Sequence, residues 1–343
     1  MPRLPEERIE KSKFSDLHTN EVPCVTLSMI RFGVCSLKQL YASRLKDVFG
    51  RQKSISIELY EELAHSDTVC AEEYQEMVLS RFKFGQVYKR THRNRFAAFD
   101  NAVLSVARKQ FGDAVKATLR IHDVAASDGR TSVDLYDELS KLYHDRLWFL
   151  ATDILPWVYT VAKPGQHLKL VTDDSGHIIE LIYPPFVFDL GRRESPFYWI
   201  NHIILKRLLK QASALAALFV QRSCEVRVTK IELIHNKCRE LIERKSNFRF
   251  ERYNVFEPIN HRFDMVRAMN ILNRCYFSEL ELRRILQAVF SSLRIGGLFA
   301  TGSNEARGSE VDGAIYLRTA NGFQLLFRSS SGSTVHDLVT DVR

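Results

Sequence analysis

The sequence lacks several features that would set it apart from ordinary globular proteins. No run of five or more like charges occurs, although the formal net charge is +8, so no basic arm for nucleic acid is indicated. No internal repeat is visible, which argues against a solenoid. The six cysteines form no C-x-x-C pair, which argues against a zinc ribbon or a dense disulfide framework, and we expect them to be reduced thiols. No metal site is predicted.

Long uninterrupted apolar segments are also missing. The N-terminal stretch MPRLPEERIEKSKFSD is charged and has no apolar core of the kind found in signal peptides. The longest apolar stretch, Trp199–Val220, is interrupted by charged and polar residues that would be costly at the centre of a bilayer: His202, Lys206, Arg207 and Lys210. We therefore expect a cytoplasmic protein with no membrane span.

The chain has 343 residues, of which 45% are hydrophobic and 26% are charged. This length and composition suffice for a large hydrophobic core. Apolar residues at helical spacing predict helices over 36–50, 57–63, 72–82 and 95–111, the first with Ser36 as N-cap and Gly50 as its stop. These helices predict an N-terminal helical domain over residues 1–115. A second domain is expected over 116–343.

The second domain alternates short β-rich runs with helices. Strands are predicted over 119–125, 148–153, 228–234, 248–254, 263–269 and 297–301, which indicates an α/β fold with a parallel sheet covered on both faces. Hairpins are predicted over 167–181 and 314–327, the latter turning at Asn321-Gly322. The first belongs to an insertion of a hairpin plus a helix over 157–227.

Small residues connect the first strand to its helix: Ala125, Ala126, Ser127, Asp128 and Gly129. Such a turn places backbone N–H groups and the positive end of a helix dipole at the carboxyl edge of a sheet, where open α/β folds bind ligands. The turn is equally compatible with a simple connection.

The later strand ends deliver polar residues to the same edge. Asp153 ends the second strand, Asn254 and Val255 follow the next, and Asn270 follows the fourth. An acidic side chain at the second strand end can accept from both hydroxyls of a ribose, so the set favours a nucleoside-containing ligand. The alternative is that each residue only caps a strand or a helix.

At these residues the chain resembles the class I S-adenosylmethionine-dependent methyltransferases, and most closely the chemotaxis-receptor glutamate methyltransferases. The family's A-T-D-I motif stands at 151–154, its N-L pair resembles Asn254-Val255, its F-D-x-I-x-x-R-N segment resembles the region from Phe263 to Phe277, and its Gly-Gly-containing segment resembles 293–305. The resemblance implies a Rossmann-like methyltransferase sheet and S-adenosyl-L-methionine as cofactor.

The resemblance also implies roles for individual residues. The cofactor would be bound by Asp123, Ala125, Ser127, Asp128, Gly129, Asp153, Ile154, Asn254, Val255 and Asn270. The candidates for catalytic residues are Asn270, Tyr276 and Arg267. The chain departs from the family in two places. Its acid-x-Gly-x-Gly-x-Gly loop reads Asp123-x-Ala125-x-Ser127-x-Gly129, and it has two extra residues between Asn270 and Tyr276.

The methyl acceptor is left open as a small molecule or an acidic protein carboxylate. A base would be useful for an alcohol or amine, and His202, His235 and Tyr276 are candidates; Arg267, Arg192 and Arg193 could neutralise a carboxylate acceptor. The basic segment 83–95 is interpreted as a solvated edge or a wall of the substrate cleft, with nucleic acid disfavoured. The competing hypothesis is a binding or regulatory module that kept the methyltransferase fold and lost catalysis.

Overall fold

The computed structural model describes residues 33–42, 54–66, 70–84, 87–89, 91–92, 94–112, 117–189, 199–257, 259, 262–304 and 310–343. Helices α1 (Leu37–Ala42), α2 (Glu58–Ala64) and α3 (Ala71–Arg81) come first, followed by a short antiparallel pair, β1 (Lys83–Phe84) and β2 (Val87–Tyr88), and then by α4 (Ala97–Phe111). The predicted helices at 57–63, 72–82 and 95–111 are confirmed to within two residues. The predicted first helix is present as α1, and its second half lies outside the described residues.

A seven-stranded sheet forms the centre of the fold. Its strands are β3 (Leu119–Val124), β4 (Leu147–Asp153), β10 (Phe248–Arg252), β11 (Phe263–Met269), β12 (Leu293–Ser303), β13 (Asp312–Thr319) and β14 (Gly322–Ser329). They lie in the order β10-β4-β3-β11-β12-β13-β14. The first five strands are parallel to one another, and β13 pairs antiparallel with both β12 and β14. The order reverses between β3 and β11, which is the switch point where doubly wound sheets bind ligands.

Helices cover both faces of this sheet. On one face α4, α5 (Arg130–Tyr143) and α7 (Asn236–Arg244) contribute to a core with β3, β4 and β11. On the other face α8 (Glu279–Ser292) and α9 (His336–Asp341) pack in a second core. All seven residues of β11 are buried, as expected for a central parallel strand. The predicted α/β class with a parallel-rich, Rossmann-like sheet is confirmed.

A second, five-stranded antiparallel sheet is larger than the predicted hairpin. It consists of β5 (Trp157–Ala162), β6 (Lys169–Thr172), β7 (Ile178–Tyr183), β8 (Phe186–Asp189) and β9 (Arg227–Glu232), in the order β8-β7-β6-β5-β9. One set of its buried residues packs with α2 and α3, and another packs with α6 (Trp199–Val220). The N-terminal helices therefore share a core with the insertion.

One predicted strand belongs to a different sheet from the one expected. The sequence predicts a strand of the parallel sheet over 228–234, but β9 pairs antiparallel with β5. Four consecutive residues of β9, from Arg227 to Lys230, are exposed. A strand inside a covered parallel sheet would be buried on both faces, so the mixed polar composition of β9 fits a sheet edge instead.

Both predicted hairpins are present, as β6–β7 and β13–β14. In the described part of the chain, no helix combines the length and apolar character needed to cross a membrane. The five described cysteines, Cys35, Cys70, Cys224, Cys238 and Cys275, are free thiols.

Candidate functional site

The loop after β3 keeps a left-handed backbone although it has only one glycine. Ala125 has φ +58°, Ser127 has φ +60° and Gly129 has φ +83°. Left-handed φ costs a non-glycine residue about 1 kcal/mol or more, and such strain concentrates at binding sites. The Ser127 hydroxyl is also buried and has no hydrogen-bond partner within the described ranges. The two departures from glycine in the sequence have therefore not changed the type of turn.

Asp153, at the end of β4, is bound by several donors from this chain. Its Oδ2 accepts from the Ser127 N–H at 2.9 Å, and its Oδ1 accepts from Leu155 N–H at 3.0 Å and from Lys89 Nζ at 2.6 Å. Lys89 and Asp153 are only 5% and 6% exposed. Lys89 also donates to the Ser127 carbonyl at 3.2 Å. The carboxylate predicted to accept from a ribose is thus covered by a lysine.

Asn270 extends the same edge from the end of β11. It has φ +59°, and its side chain exchanges hydrogen bonds with Asn304: Asn270 Nδ2 donates to Asn304 Oδ1 at 3.0 Å, and Asn304 N donates to Asn270 Oδ1 at 3.0 Å. Arg95 Nε donates to the same Asn304 oxygen at 2.9 Å. A second left-handed residue at the switch point is thus held in place by the residues just before α4 and after β12.

Arg267, predicted as catalytic, lies in the middle of β11 and is completely buried. Its Nε and Nη2 donate to Asp123, its Nη1 donates to both oxygens of Asp100, and Nη2 also donates to the Thr131 carbonyl. All five N–H groups are therefore used. Burial alone would lower the pKa of Arg267, but the attraction of Asp100 and Asp123 outweighs it and raises that pKa. The geometry leaves no donor for an acceptor carboxylate.

Asp123 and Asp128 make internal contacts in the same region. Ser132 Oγ donates to Asp123 Oδ2 at 2.6 Å, in addition to the two bonds from Arg267. Asp128 is fully buried beside Arg130, and its carbonyl accepts from His235 N–H at 2.9 Å. Burial raises the pKa of Asp128, although Arg130 opposes that shift. Both carboxylates therefore contact side chains of the fold itself, at the two ends of the turn.

Gly129 is required by packing as well as by its φ. A Cβ on Gly129 would lie 2.6 Å from Cys238 Sγ and 3.0 Å from a ring carbon of Phe250. The absent side chain therefore admits α7 and β10 to the loop. Close packing of helix against strand is a sufficient reason for glycine here, whether or not a ligand also approaches.

The remaining predicted residues are spread along the edge. Asn254 forms a turn by accepting from Phe256 N–H at 3.2 Å, and it donates to Glu257 at 3.3 Å. Val255 and Tyr276 are partly buried against the core under α8. Ile154 packs against the core shared with the N-terminal helices. The structure thus places Asp153 at the end of β4, Asn254 after β10 and Asn270 after β11, which are ends on the same edge of the sheet.

Among the candidate bases and acceptor-binding arginines, His235 lies at the start of α7. His235 is 1% exposed and caps α7, where its Nδ1 accepts from Lys237 N–H at 3.3 Å. The side chain of His202, and Arg192 and Arg193 entirely, lie outside the described residues. His235 is thus a helix cap in contact with the Asp128 carbonyl.

A small crevice lies on the α8 side of the central sheet. A crevice of about 10 Å³ runs beside His122, Val124, Tyr253 and Val255, which is room for about one water molecule. No group of three or more His, Cys, Asp or Glu side chains within the described ranges is arranged to hold a metal ion. A ribose that makes a contact with Asp153 Oδ1 would have to displace Lys89, whose Nζ donates to that oxygen.

Sequence reasoning missed three residues of this edge: Lys89, Arg95 and Asn304. The composition of the basic segment 83–95 predicts a solvated edge or a wall of the substrate cleft, because a lysine in such a segment is usually solvated. A pairing between Lys89 and the second-strand aspartate depends on a contact 64 residues apart along the chain, which no local pattern predicts.

The comparisons with known proteins give only distant matches. No protein-family model and no curated protein matches the chain. Solved structures that match include PKMT2 from Rickettsia typhi in complex with AdoHcy (8% identity, 55% of this chain and 22% of that one, TM-score 0.24). A putative sarcosine dimethylglycine methyltransferase from Galdieria sulphuraria matches at 10% identity, over 60% of this chain and 46% of that one, with TM-score 0.28. The N-methyltransferase NodS from Bradyrhizobium japonicum in complex with S-adenosyl-L-homocysteine matches at 8% identity over 71% of each chain, with TM-score 0.29.

The chain spans less than half the length of the first two of these structures. The fold assignment rests on the strand order of the sheet itself, a parallel α/β sheet with its switch point between β3 and β11. The second and third of these structures carry the word methyltransferase in their names, the second as putative.

Proposed function

We propose that this protein is an S-adenosylmethionine-dependent methyltransferase whose cofactor lies at the carboxyl edge of β3, β4, β10 and β11. The observation that carries the proposal is the retained left-handed turn at Ala125, Ser127 and Gly129, beside a buried aspartate and opposite a left-handed Asn270. A simple connection between a strand and a helix needs no such strain at two non-glycine residues.

The loop after β3 fits the cofactor as it stands, whereas the ribose site at Asp153 fits it only after Lys89 has moved. The small residues 125 and 127 allow close approach to the backbone, and Asp153 is a suitable acceptor for two hydroxyls once Lys89 leaves its Oδ1. When bound, the cofactor supplies an activated methyl group, so the protein mainly needs to align the acceptor. The Asn270–Asn304–Arg95 contacts would hold that edge rigid.

Among the predicted catalytic residues, Arg267 is better assigned to structure because its five N–H groups are satisfied inside the fold. Asn270 and Tyr276 stay candidates for contact with the substrates. The acceptor class stays a small molecule or an acidic protein carboxylate, and a cytoplasmic location is part of the proposal.

A second candidate is a binding or regulatory module without methyltransferase activity. The Lys89–Asp153 ion pair favours it, since that pair occupies the ribose acceptor with a group of the chain itself.

Calorimetric titration with S-adenosylhomocysteine tests the proposal. We expect saturable binding to the parent protein and a loss of about 2 kcal/mol or more for Asp153→Asn, because the amide cannot accept from two hydroxyls as a carboxylate does. Asp145→Asn, in the exposed turn before β4, is the matched control and should bind like the parent. No binding to a folded parent, or equal binding by Asp153→Asn, would favour the regulatory module or a different site.

A further inference from the structure

Four arginines lie at the amino edge of the central sheet, opposite the edge proposed for the cofactor. Strands β3, β11, β12 and β13 are consecutive in the sheet; the first three begin at this edge, and β13, which is antiparallel to β12, ends there. Each strand has an arginine at or next to that end: Arg120, Arg262, Arg294 and Arg318. Neighbouring strands are about 4.8 Å apart, so these residues, which we call the arginine row, extend over about 15 Å. The strand order assembles the row from distant positions, so no run of basic residues in the sequence indicates it.

Asp264 is the one carboxylate that contacts the arginine row within the described ranges. It is 4% exposed, its Oδ1 lies 2.5 Å from Arg294 Nε, and its Oδ2 accepts from the Arg120 N–H at 2.5 Å. The Arg294 side chain is still 48% exposed. One buried carboxylate therefore faces four cations, and the edge carries a net positive charge.

Arg262 and Arg318 approach the same backbone carbonyl. Both donate from Nη1 to Leu293 O, at 3.4 Å for Arg262, and Arg262 also donates to the Ser291 carbonyl. These carbonyls lie at the carboxyl end of α8, whose dipole is equivalent to about half a negative charge, so it does not balance two guanidinium groups. Burial, and then the repulsion of Arg262, lowers the pKa of Arg318. An anion bound by both groups would relieve this repulsion.

Three of the four guanidinium groups are stacked on aromatic rings. The distances from the guanidinium carbon to the ring centroid are 4.8 Å for Arg120 over Trp148, 5.5 Å for Arg294 over Phe111 and 4.4 Å for Arg318 over Phe290. Stacking fixes the plane of a guanidinium and leaves the N–H groups at its rim directed outwards, which suits the oxygens of a phosphate. Ile295, next to Arg294, is 65% exposed and adds an apolar side chain to the same edge.

We propose that the arginine row binds the phosphate backbone of a single-stranded nucleic acid. A phosphate chain supplies a series of anions along a line, which matches a linear series of cations with fixed planes. A duplex is usually read by an element that enters a groove, whereas the row consists of strand ends, and a flexible single strand can follow them. Contact with the backbone makes the binding independent of base sequence. The proposal does not depend on methyl transfer, because the row lies at the edge opposite the proposed cofactor site.

Fluorescence anisotropy with a labelled oligothymidine long enough to span the row, titrated over a range of salt concentrations, tests the proposal. Each phosphate contact to a single strand contributes about −0.7 to the slope of log K against log salt concentration, so four contacts predict a slope of about −2.8. Arg262→Gln/Arg318→Gln should reduce the slope to about −1.4 and weaken binding at low salt at least about tenfold. Arg262→Lys/Arg318→Lys keeps both charges and should keep most of the slope. No binding to the parent, or equal losses in the glutamine and lysine variants, would overturn the proposal.

Two controls separate the arginine row from net charge and from a membrane surface. Lys206→Gln/Lys210→Gln removes the same number of charges from the exposed face of α6 and should leave the affinity and slope unchanged. Equal weakening by this variant would show that the net charge of +8 alone attracts the oligonucleotide, which contradicts the proposal. Vesicles of equal parts phosphatidylcholine and phosphatidylserine are the second probe, and the parent should not sediment with them under conditions in which it binds the oligonucleotide. Sedimentation that Arg262→Gln/Arg318→Gln abolishes would assign the edge to an anionic lipid surface instead.

Discussion

At the scale of single residues, Asp153 is predicted to bind a ligand and also holds parts of the fold together. Its carboxylate accepts from Ser127, Leu155 and Lys89, so the loop after β3, the end of β4 and the segment after β2 meet at one side chain. Two of these donors are backbone N–H groups that would stay in place on ligand binding. Lys89 is the donor that a ribose would have to displace, because its flexible side chain can leave the carboxylate without breaking the turn.

Replacing Lys89 by Met tests this competition. We expect affinity for S-adenosylhomocysteine to rise about tenfold, or about 1.4 kcal/mol, because Asp153 Oδ1 no longer has a cationic partner to give up. The thermal midpoint should fall, since the variant leaves a buried carboxylate with only backbone donors. Calorimetry and thermal unfolding measure the two effects. Lys141→Met, at an exposed site on α5, is the control; lower affinity in Lys89→Met would show that Lys89 contributes to binding instead of opposing it.

His122 in β3 makes stability depend on pH. Burial lowers its pKa from 6.5 to about 3, with Asp123 opposing the shift, and its Nε2 lies 2.9 Å from Thr152 Oγ1. The unfolded chain therefore takes up a proton below pH 6.5 that the folded chain refuses. The stability that comes from burying a neutral His122 is therefore fully present above pH 6.5 and is lost as the pH falls toward 3.

Between pH 7 and pH 5 the loss should be about 2 kcal/mol in the free energy of unfolding, since each pH unit is worth about 1.4 kcal/mol per proton. Denaturant titrations at the two pH values measure it. The glutamine of His122→Gln does not titrate, so this variant should lose less stability over the same range, whereas the exposed His65→Gln should behave like the parent. An identical pH dependence in His122→Gln would contradict the assignment.

At the scale of elements, the β6–β7 hairpin is part of a sheet and not an appendage. The two strands lie in the interior of the five-stranded sheet, between β5 and β8. Val171 faces the core shared with α2 and α3, and Leu170 faces the core under α6. Alternating side chains on one strand thus join two different layers.

Deleting residues 167–181 should prevent cooperative folding, because the deletion separates β5 from β8 and exposes two cores. The measurements are soluble yield and thermal unfolding. Replacing the exposed loop residue Gln166 by Ser is the control and should leave the thermal midpoint unchanged. A deletion variant with the parent's midpoint would show that the hairpin only shapes acceptor specificity, as its position in the sequence suggests.

At the scale of the whole molecule, the N-terminal helices contribute to the cores of both sheets. The helices α2 and α3 pack on the insertion, and α4 packs on the central sheet. Asp100 of α4 also holds Arg267 at the centre of β11. The division into two domains between residues 115 and 116 stays a prediction. These contacts weigh against independent folding of the two parts.

A fragment of residues 116–343 should therefore show no cooperative thermal transition. It leaves Arg267 Nη1 buried without Asp100 and exposes the apolar face that receives α4, each costing several kcal/mol. A fragment of residues 94–343 restores α4 and should recover part of the helical signal and solubility. A shorter fragment that unfolds cooperatively, measured by circular dichroism, would support an independent domain beginning at residue 116.

The sequence by itself determined the elements that depend on local periodicity. Short β-rich runs predicted β3, β4 and β11, the Asn321-Gly322 pair predicted the last hairpin, and helical spacing of apolar residues predicted α4. The carboxyl ends of parallel strands share one edge, so the sequence also predicted that Asp153, Asn254 and Asn270 reach the same edge of the sheet.

Tertiary structure decided what those residues contact. Lys89 reaches Asp153 across 64 positions, Asp100 reaches Arg267 across 167, and β9 pairs with β5 in place of the parallel sheet. Each contact is between segments far apart in the chain, and none leaves a local pattern of polar and apolar residues. The charge of Arg267 suggested contact with a substrate, but its burial between two carboxylates follows from packing of α4 and β3 against β11, which only the folded chain specifies.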